Sequence, residues 1–388
     1  MHESVRRGGG RISQRTGWGT LYGVPVRIGI DARLVWRGLG IAQFVTGLVS
    51  HLTEDAEVTW FGDPALAPCA VSSVRVDRLP YAALDLAGAR LIARRAQVDV
   101  MHFTANTGWS TRGSPPFVLT VHDMLFMDTP LNGRSIRQAL GHRYARHNVI
   151  HAISAASAVA TPSVASATEI GKRARLTQGP VVIPNGVDSG PPVRGSGATV
   201  DRARSRGGPR GTRYALAFSG RDPRKGVDLA VAGWRAADRT PAQLWLLAGA
   251  GLPPGVEEDI ADEVAGGQIV VLPYVARSRL REILTGAEVL VYASRAEGFG
   301  LPVLEAMAAG VPVISGLTPA TREVGGDAII ALDAQAPVAS IAAGLRLLVR
   351  DADFAARLVE AGRGRAEVYS WRECARAYLD LYRAAAEV

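Results

Sequence analysis

The sequence predicts an α/β protein built on two doubly wound parallel sheets, and three observations carry that expectation. Short, fully apolar runs recur along the chain; they are too short for helices and typical of strands buried on both faces. Helical stretches with apolar stripes lie between them, which is the alternation of βαβ units. The alternation runs twice, broken at 189–213 by a Gly-, Pro-, Ser- and Arg-rich stretch without apolar periodicity. A chain of 388 residues is long enough for two domains of ordinary size.

The first series opens with a strand at 27–31. A glycine loop at Gly38 and Gly40 then leads into a helix whose stripe is Ile41, Phe44, Leu48 and Leu52, at helical spacing. Strands follow at 58–61, 74–76, 98–103, 117–121, 158–161 and 181–183. Polar residues collect at the strand ends, where ligands of such sheets bind: His102 in one strand, His122 and Asp123 directly after another. The second series begins at 214–218 and passes through a basic turn, Arg221-Asp222-Pro223-Arg224-Lys225-Gly226. A helix with Val227, Val231 and Trp234 on one face comes next, then strands at 244–249, 269–272, 289–292, 311–314 and 328–330. A last helix starts at Trp371 and carries Tyr378, Leu379 and Tyr382.

Composition narrows the class. Apolar residues make up 47%, charged residues 21% and aromatics 6%, a globular rather than a disordered balance. The net charge of +8 points toward anionic partners such as nucleotide diphosphates, anionic lipid surfaces or nucleic acid. Arginine dominates the basic residues and suits phosphate oxygens. Cys69 and Cys374 form no ligand or redox motif, so a reducing cytoplasm is the default location. No run reaches the roughly 18–20 apolar residues of a membrane span. No His or Cys cluster has metal-ligand spacing and no Asp-x-Asp stands in a metal-binding setting, so no metal is expected.

The organising stretch is Glu297-Gly298-Phe299-Gly300-Leu301-Pro302-Val303-Leu304-Glu305. It follows an apolar strand, and Pro302 suits the first turn of a helix that Gly310 would end. Such a strand–turn–helix aims the amides near Phe299, Gly300 and Leu301 outward from a helix N-terminus, where they can hold an anion. Glu297 and Glu305 frame that anion site, and a carboxylate can accept both hydroxyls of a vicinal diol.

The string resembles the signature of the retaining glycosyltransferases of family GT4, which have the GT-B fold of two facing Rossmann-like domains around a deep cleft. Further matches are the Gly-Ile-Asp-Ala-Arg at 29–33, the Thr-Val-His-Asp at 120–123 and the Ile-Pro-Asn-Gly-Val-Asp at 183–188; Pro-Arg-Lys at 223–225 is similar to a mannosyltransferase-like branch. The resemblance implies a nucleotide diphosphate sugar as donor, bound as substrate with no further cofactor. Glu305 would hold the ribose, Tyr274 and Val275 would lie near the base, and Lys225, Arg224 and Arg221 would meet the diphosphate. Glu297 and the Phe299, Gly300 and Leu301 amides would bind the sugar, with Gly38 and Gly40 beside the phosphates and His122 reaching the sugar from the other domain. The implied layout is an extension at 1–25, an acceptor domain at 26–188, a linker at 189–213, a donor domain at 214–368, and a helix at 369–388 returning to the first domain.

The activity so implied is metal-independent transfer of a hexosyl group, mannosyl by the branch resemblance, to a glycan, lipid-linked or small-molecule acceptor. A cytoplasmic location at the inner membrane face, with peripheral membrane association, goes with it. Rival readings are weaker. A dinucleotide oxidoreductase would want a glycine where Gln43 stands, in a turn directly leaving the strand. A nucleic-acid binder has only net charge and the Arg-rich linker behind it, without aromatic platforms, so no nucleic-acid partner is expected. A silent subunit of the same fold, or a sugar-nucleotide epimerase, would not need the paired glutamates together with Lys225.

Overall fold

A computed structural model describes residues 25–35, 39–53, 55–76, 97–108, 114–128, 136–174, 176, 178–188, 213–249 and 251–387. The extension at 1–25 apart from Pro25, Gly38 of the glycine loop, and the linker apart from Arg213 lie outside the described residues.

Among the described residues the first sheet has the order β3-β2-β1-β4-β5-β6-β7, and all its pairs are parallel. Its strands are β1 (Val26–Asp31), β2 (Ala56–Phe61), β3 (Ser72–Val74), β4 (Val100–Phe103), β5 (Phe117–Thr120), β6 (Ala158–Thr161) and β7 (Val181–Val182). Among the described residues the helices of this lobe are α1 (Leu39–Leu52), α2 (Ile136–Ala155) and α3 (Val164–Arg173). Both β4 and β5 are buried at every position, the polar His102 and Thr120 included.

The second sheet has the order β10-β9-β8-β11-β12-β13 and is also parallel throughout. Its strands are β8 (Tyr214–Phe218), β9 (Gln243–Gly249), β10 (Ile269–Pro273), β11 (Val289–Val291), β12 (Val313–Ser315) and β13 (Ile330–Ala331). Helices α4 (Val227–Ala236), α5 (Val256–Asp259), α6 (Ala261–Ala265), α7 (Arg277–Thr285), α8 (Leu301–Ala308), α9 (Pro319–Gly325), α10 (Pro337–Arg350) and α11 (Ala352–Glu367) surround it. Three predicted strands are displaced. The one expected at 74–76 is β3, two residues earlier, where Ser72 to Val74 pair with β2. Pairing of β12 begins after Pro312, which has no N–H to give the ladder. Of the segment expected at 328–330, Ala328 ends a 3₁₀ turn that begins at Gly326, and Ile330 alone is in the sheet, as the first residue of β13.

In each sheet the order reverses direction beside the first strand, between β1 and β4 and again between β8 and β11. Crevices at the carboxyl ends of such strand pairs are where open α/β sheets bind ligands. The chain crosses between lobes twice and the crossings lie side by side: Val187 pairs with Ser370, and the Val187 amide donates to Tyr369 O. The return delivers α12 (Trp371–Ala386) onto the first lobe, where Trp371, Tyr378, Leu379 and Tyr382 join the core of Ile28, Ile30, Phe44, Leu48 and Trp60. Tyr378 and Tyr382 are tied to the sheet by a hydrogen-bonded chain. Tyr382 OH lies 2.7 Å from His102 Nδ1, His102 Nε2 lies 2.7 Å from Thr120 Oγ1, and Thr120 Oγ1 lies 2.8 Å from Tyr378 OH.

Candidate functional site

The basic turn and the glutamate turn meet at the β8/β11 crevice. Asp222 opens a 3₁₀ turn at Pro223–Lys225 by accepting from the Arg224 amide, and Gly226 closes it at φ +67°. A side chain at Gly226 would strike the carbonyl of Ala293, so only glycine lets this turn lie against the segment leaving β11. The Arg295 amide donates to Arg224 O at 2.7 Å and fixes the register. Lys225 is thereby held over Glu297.

Glu297 Oε1 accepts three hydrogen bonds, from Lys225 Nζ at 2.8 Å, Tyr292 OH at 2.6 Å and Ser294 Oγ at 2.6 Å. Oε2 accepts none among the described residues, which leaves one carboxylate oxygen for a ligand. Burial, with Glu297 adding to it, raises the Tyr292 phenol well above its ordinary range, so the hydroxyl stays protonated and donates. Three donors on one oxygen suit an ionised carboxylate. Lys225 Nζ also lies 3.3 Å from Tyr292 OH, and the lysine side chain is one-third exposed.

Phe299 is buried edge-on to Tyr369, and Gly300 takes φ +115° as it turns the chain into α8. The first-turn amides of α8, from Leu301 on, have no partner one turn earlier within the helix. The N-terminus of α1 faces this end across the lobes: a side chain at Gly40 would come 3.6 Å from Leu301 Cδ1. Two positive helix ends brought together favour an anion between or beside them. Glu305, in the second turn of α8, accepts from Gln43 Nε2 of α1 at 2.8 Å.

The first lobe brings His122 to the same seam. Its Nε2 donates to Thr104 O at 2.8 Å, and its ring meets Phe44 edge-on. Burial pushes the ring's protonation below the ordinary histidine range, and the Thr104 bond and Asp123 only partly oppose it. The ring is therefore neutral near pH 7, with Nδ1 left as an acceptor. Gly298 allows the lobes to touch, because a side chain there would collide with His122 O. Ser163 Oγ donates to Gly298 O at 2.6 Å, and the Ser166 hydroxyl lies 2.9 Å from both Gly298 O and His122 O. Glu323 of α9 caps α3 by accepting from the Val164 and Ala165 amides at 2.9 and 3.1 Å.

Other expected residues lie less centrally. Arg224 is near the seam, with Asp123 and Glu297 acting on its charge, but its guanidinium grips Asp222 at 2.6 and 2.8 Å and stays half-exposed. Arg221 is exposed beside Gly251, past the end of β9, and shares no hydrogen bond with Glu297 or Lys225. Tyr274, just beyond β10, is 71% exposed, a face open for stacking, while Val275 packs partly into the core. Among the described residues no group of three or more His, Cys, Asp or Glu side chains could hold a metal ion, and no helix is long and apolar enough to cross a membrane.

Sequence reasoning passed over Gln43, Tyr292, Ser294, Ser163, Ser166 and Glu323. One available signal went unused. All but two of the 44 Lys and Arg residues are arginine, so a lysine at 225 stands out as chosen rather than compositional.

Comparison with known proteins covers both lobes. The family model described as Glycosyl transferases group 1 matches residues 200–365, and that described as Glycosyltransferase Family 4 matches residues 40–190. The O-antigen chain mannosyltransferase B of Escherichia coli is 29% identical over 175 residues, which is 44% of this chain and 45% of that protein. A D-inositol 3-phosphate glycosyltransferase of Xylanimonas cellulosilytica is 33% identical over 213 residues, 52% of this chain and 50% of that protein. The matched region thus spans about half the length of these curated relatives. The solved sucrose-phosphate synthase of Thermosynechococcus elongatus superposes with a TM-score of 0.70 at 18% identity, over 92% of this chain and 98% of that one. Two facing Rossmann-like lobes of this kind are the GT-B architecture.

Proposed function

We propose that this chain, which belongs to the group 1 and family 4 glycosyltransferases, moves a hexosyl group from a nucleotide diphosphate sugar to an acceptor hydroxyl with retention at the anomeric carbon. The observation that carries the reading is the convergence of Lys225, Glu297 and the α8 N-terminus in one lobe on His122 and the α1 N-terminus of the other. When the bond from C1 to the phosphate oxygen breaks, negative charge grows on the departing diphosphate. The Lys225 ammonium and the two helix ends stabilise that charge without a metal. Glu297 Oε2 and the neutral His122 Nδ1 accept sugar hydroxyls and hold the ring in place. The acceptor oxygen then bonds to C1 on the face the phosphate leaves, and its proton passes to the released phosphate oxygen.

Arg224 supplements Lys225 if the incoming diphosphate draws it from Asp222. Glu305 takes the ribose diol and Tyr274 stacks on the base, with Val275 and Arg221 nearby. GDP-mannose is the proposed donor, on the mannosyltransferase-like turn at 223–225 and the name of the Escherichia coli relative. The acceptor is a glycan, a lipid-linked saccharide or a small molecule. The charge of +8 supports peripheral docking on an anionic inner membrane face.

A thermal-shift panel of GDP, UDP, dTDP and their sugars tests the donor, because a ligand of the native state raises the melting temperature by mass action. GDP and GDP-mannose are expected to give the largest shifts, in EDTA as in buffer; no shift with any nucleotide refutes the reading. NMR of the product's anomeric coupling then tests retention.

A further inference from the structure

We propose that Ser163 and Ser166 of the first lobe are positioning residues for the donor's sugar. They hold the Gly298–Phe299 peptide of the second lobe so that its N–H is presented to a sugar hydroxyl. The inference rests on the sugar subsite given above to Glu297. Gly298, Phe299 and Gly300 are all buried, yet among the described residues none of their amides makes a hydrogen bond. Buried amides without partners are rare in folded proteins and point to a ligand. Glu297 Oε2 and His122 Nδ1 accept hydrogen bonds, whereas a sugar hydroxyl both donates and accepts. An N–H two residues beyond Glu297 supplies the matching donor. The hydroxyl that donates to Glu297 Oε2 then accepts from Phe299 N.

The direction of that N–H is set from the other lobe. The 298–299 peptide starts at one glycine and is followed by a second, and glycine gives a peptide wide rotational freedom. Ser163 Oγ donates to its carbonyl at 2.6 Å, and Ser166 Oγ lies 2.9 Å from the same oxygen. The peptide is trans, so its carbonyl and its N–H point in opposite directions. With the carbonyl drawn toward α3, the Phe299 amide is turned away from α3. A carbonyl that accepts a hydrogen bond also polarises its peptide, which makes the N–H a stronger donor. The serines are themselves well held. Ser163 is fully buried and caps α3 by accepting from the Ser166 amide at 3.0 Å, and Ser166 is buried too. The sugar contact is therefore complete only while the lobes are docked. Glu323 joins the lobes at the same helix end, through the Val164 and Ala165 amides, without touching this peptide. It provides the control.

Calorimetric titration of the full chain with GDP and GDP-mannose, and with UDP and UDP-glucose, tests this. The proteins needed are the wild type, Ser163→Ala, Ser166→Ala, Glu323→Ala and Glu297→Ala. The quantity read is the affinity for the nucleotide sugar relative to that for its free diphosphate, in whichever pair binds. Ser163→Ala is expected to lower that ratio about fivefold, the loss of one hydrogen bond to the sugar. Ser166→Ala keeps the Ser163 cap of α3 and is expected to lower it about threefold, which serves if Ser163→Ala does not fold. Glu323→Ala is expected to leave the ratio unchanged. Equal losses for sugar and diphosphate in the serine variants would show a docking role and overturn the proposal. So would a ratio unchanged by both serine variants but lowered by Glu297→Ala, or one lowered as much by Glu323→Ala as by Ser163→Ala. A ratio unchanged by Glu297→Ala removes the sugar subsite itself, a separate result.

Discussion

Two histidines flank Phe44, with ring centroids 6.0 and 5.0 Å from it, and the protein uses them in opposite ways. His102 lies wholly inside the first lobe, stacked on Tyr378, with one ring nitrogen on Tyr382 OH and the other on Thr120 Oγ1. Burial drives its pKa down to about 3, so it is a neutral, saturated member of the core. His122 has one nitrogen committed to Thr104 O, and among the described residues nothing takes the other. Both stand at carboxyl ends of neighbouring strands, so residue type and position do not separate them. Saturation does: a polar group whose partners are all internal holds the fold, and one left with a spare lone pair can hold a ligand. Glu297 repeats the lesson, with one oxygen triply occupied and the other open.

The sharpest break of this contrast is on the open side. Lys225→Ala is expected to lower the transfer rate by roughly 10²–10³-fold with little change in melting temperature, because Tyr292 and Ser294 still serve Glu297. An unchanged rate would place Lys225 among the structural groups. On the closed side, His102→Ala is expected to destabilise the fold by about 3 kcal/mol in urea titration, through a cavity and the loss of the Tyr382 hydroxyl's partner, while nucleotide affinity stays within about twofold.

Protonation sharpens the comparison. His102 binds a proton more tightly unfolded, at the ordinary value of 6.5, than folded, at about 3. Falling pH therefore favours unfolding from about 6.5 downward, at up to about 1.4 kcal/mol per unit from this one group. His102→Gln is expected to flatten that part of the stability curve, measured by urea unfolding between pH 7 and 4.5. Activity should also fall along an acid limb whose midpoint lies below the ordinary histidine value, as His122 Nδ1 gains a proton and stops accepting; a midpoint above 6.5 contradicts that role. The smallest expected effect is at the lobe seam, where Glu323→Ala removes the acceptor of the Val164 and Ala165 amides for about 1 kcal/mol, the Ser163 cap staying in place, read by thermal unfolding.

How much of this was legible in the sequence follows from contact range. Glu297, Glu305 and the α8 N-terminus are local: a strand, two glycines and a proline within one turn write their own geometry. Lys225 was legible as a basic turn, and Gly226 gives the steric reason that it meets Glu297. Arg224 was read as a phosphate clamp, but Asp222, two residues away and already capping the turn, captures its guanidinium first. Gln43, Ser163 and Glu323 were not legible, because their partners lie 262, 135 and 159 residues away and only lobe docking brings them together. His122 was set apart from His102 only by the Thr-Val-His-Asp resemblance; the physical difference, the tyrosine pair that α12 carries back, is not local to either strand.

That return has a consequence for biosynthesis. The first lobe leaves the ribosome long before α12, which supplies Trp371, Tyr378 and Tyr382 to its interior. Until translation passes residue 386, Phe44 and His102 lack the rings that cover them. The nascent half then exposes apolar surface and is open to aggregation. A premature stop anywhere in the second half should accordingly cost the cell both halves, the earlier one by aggregation.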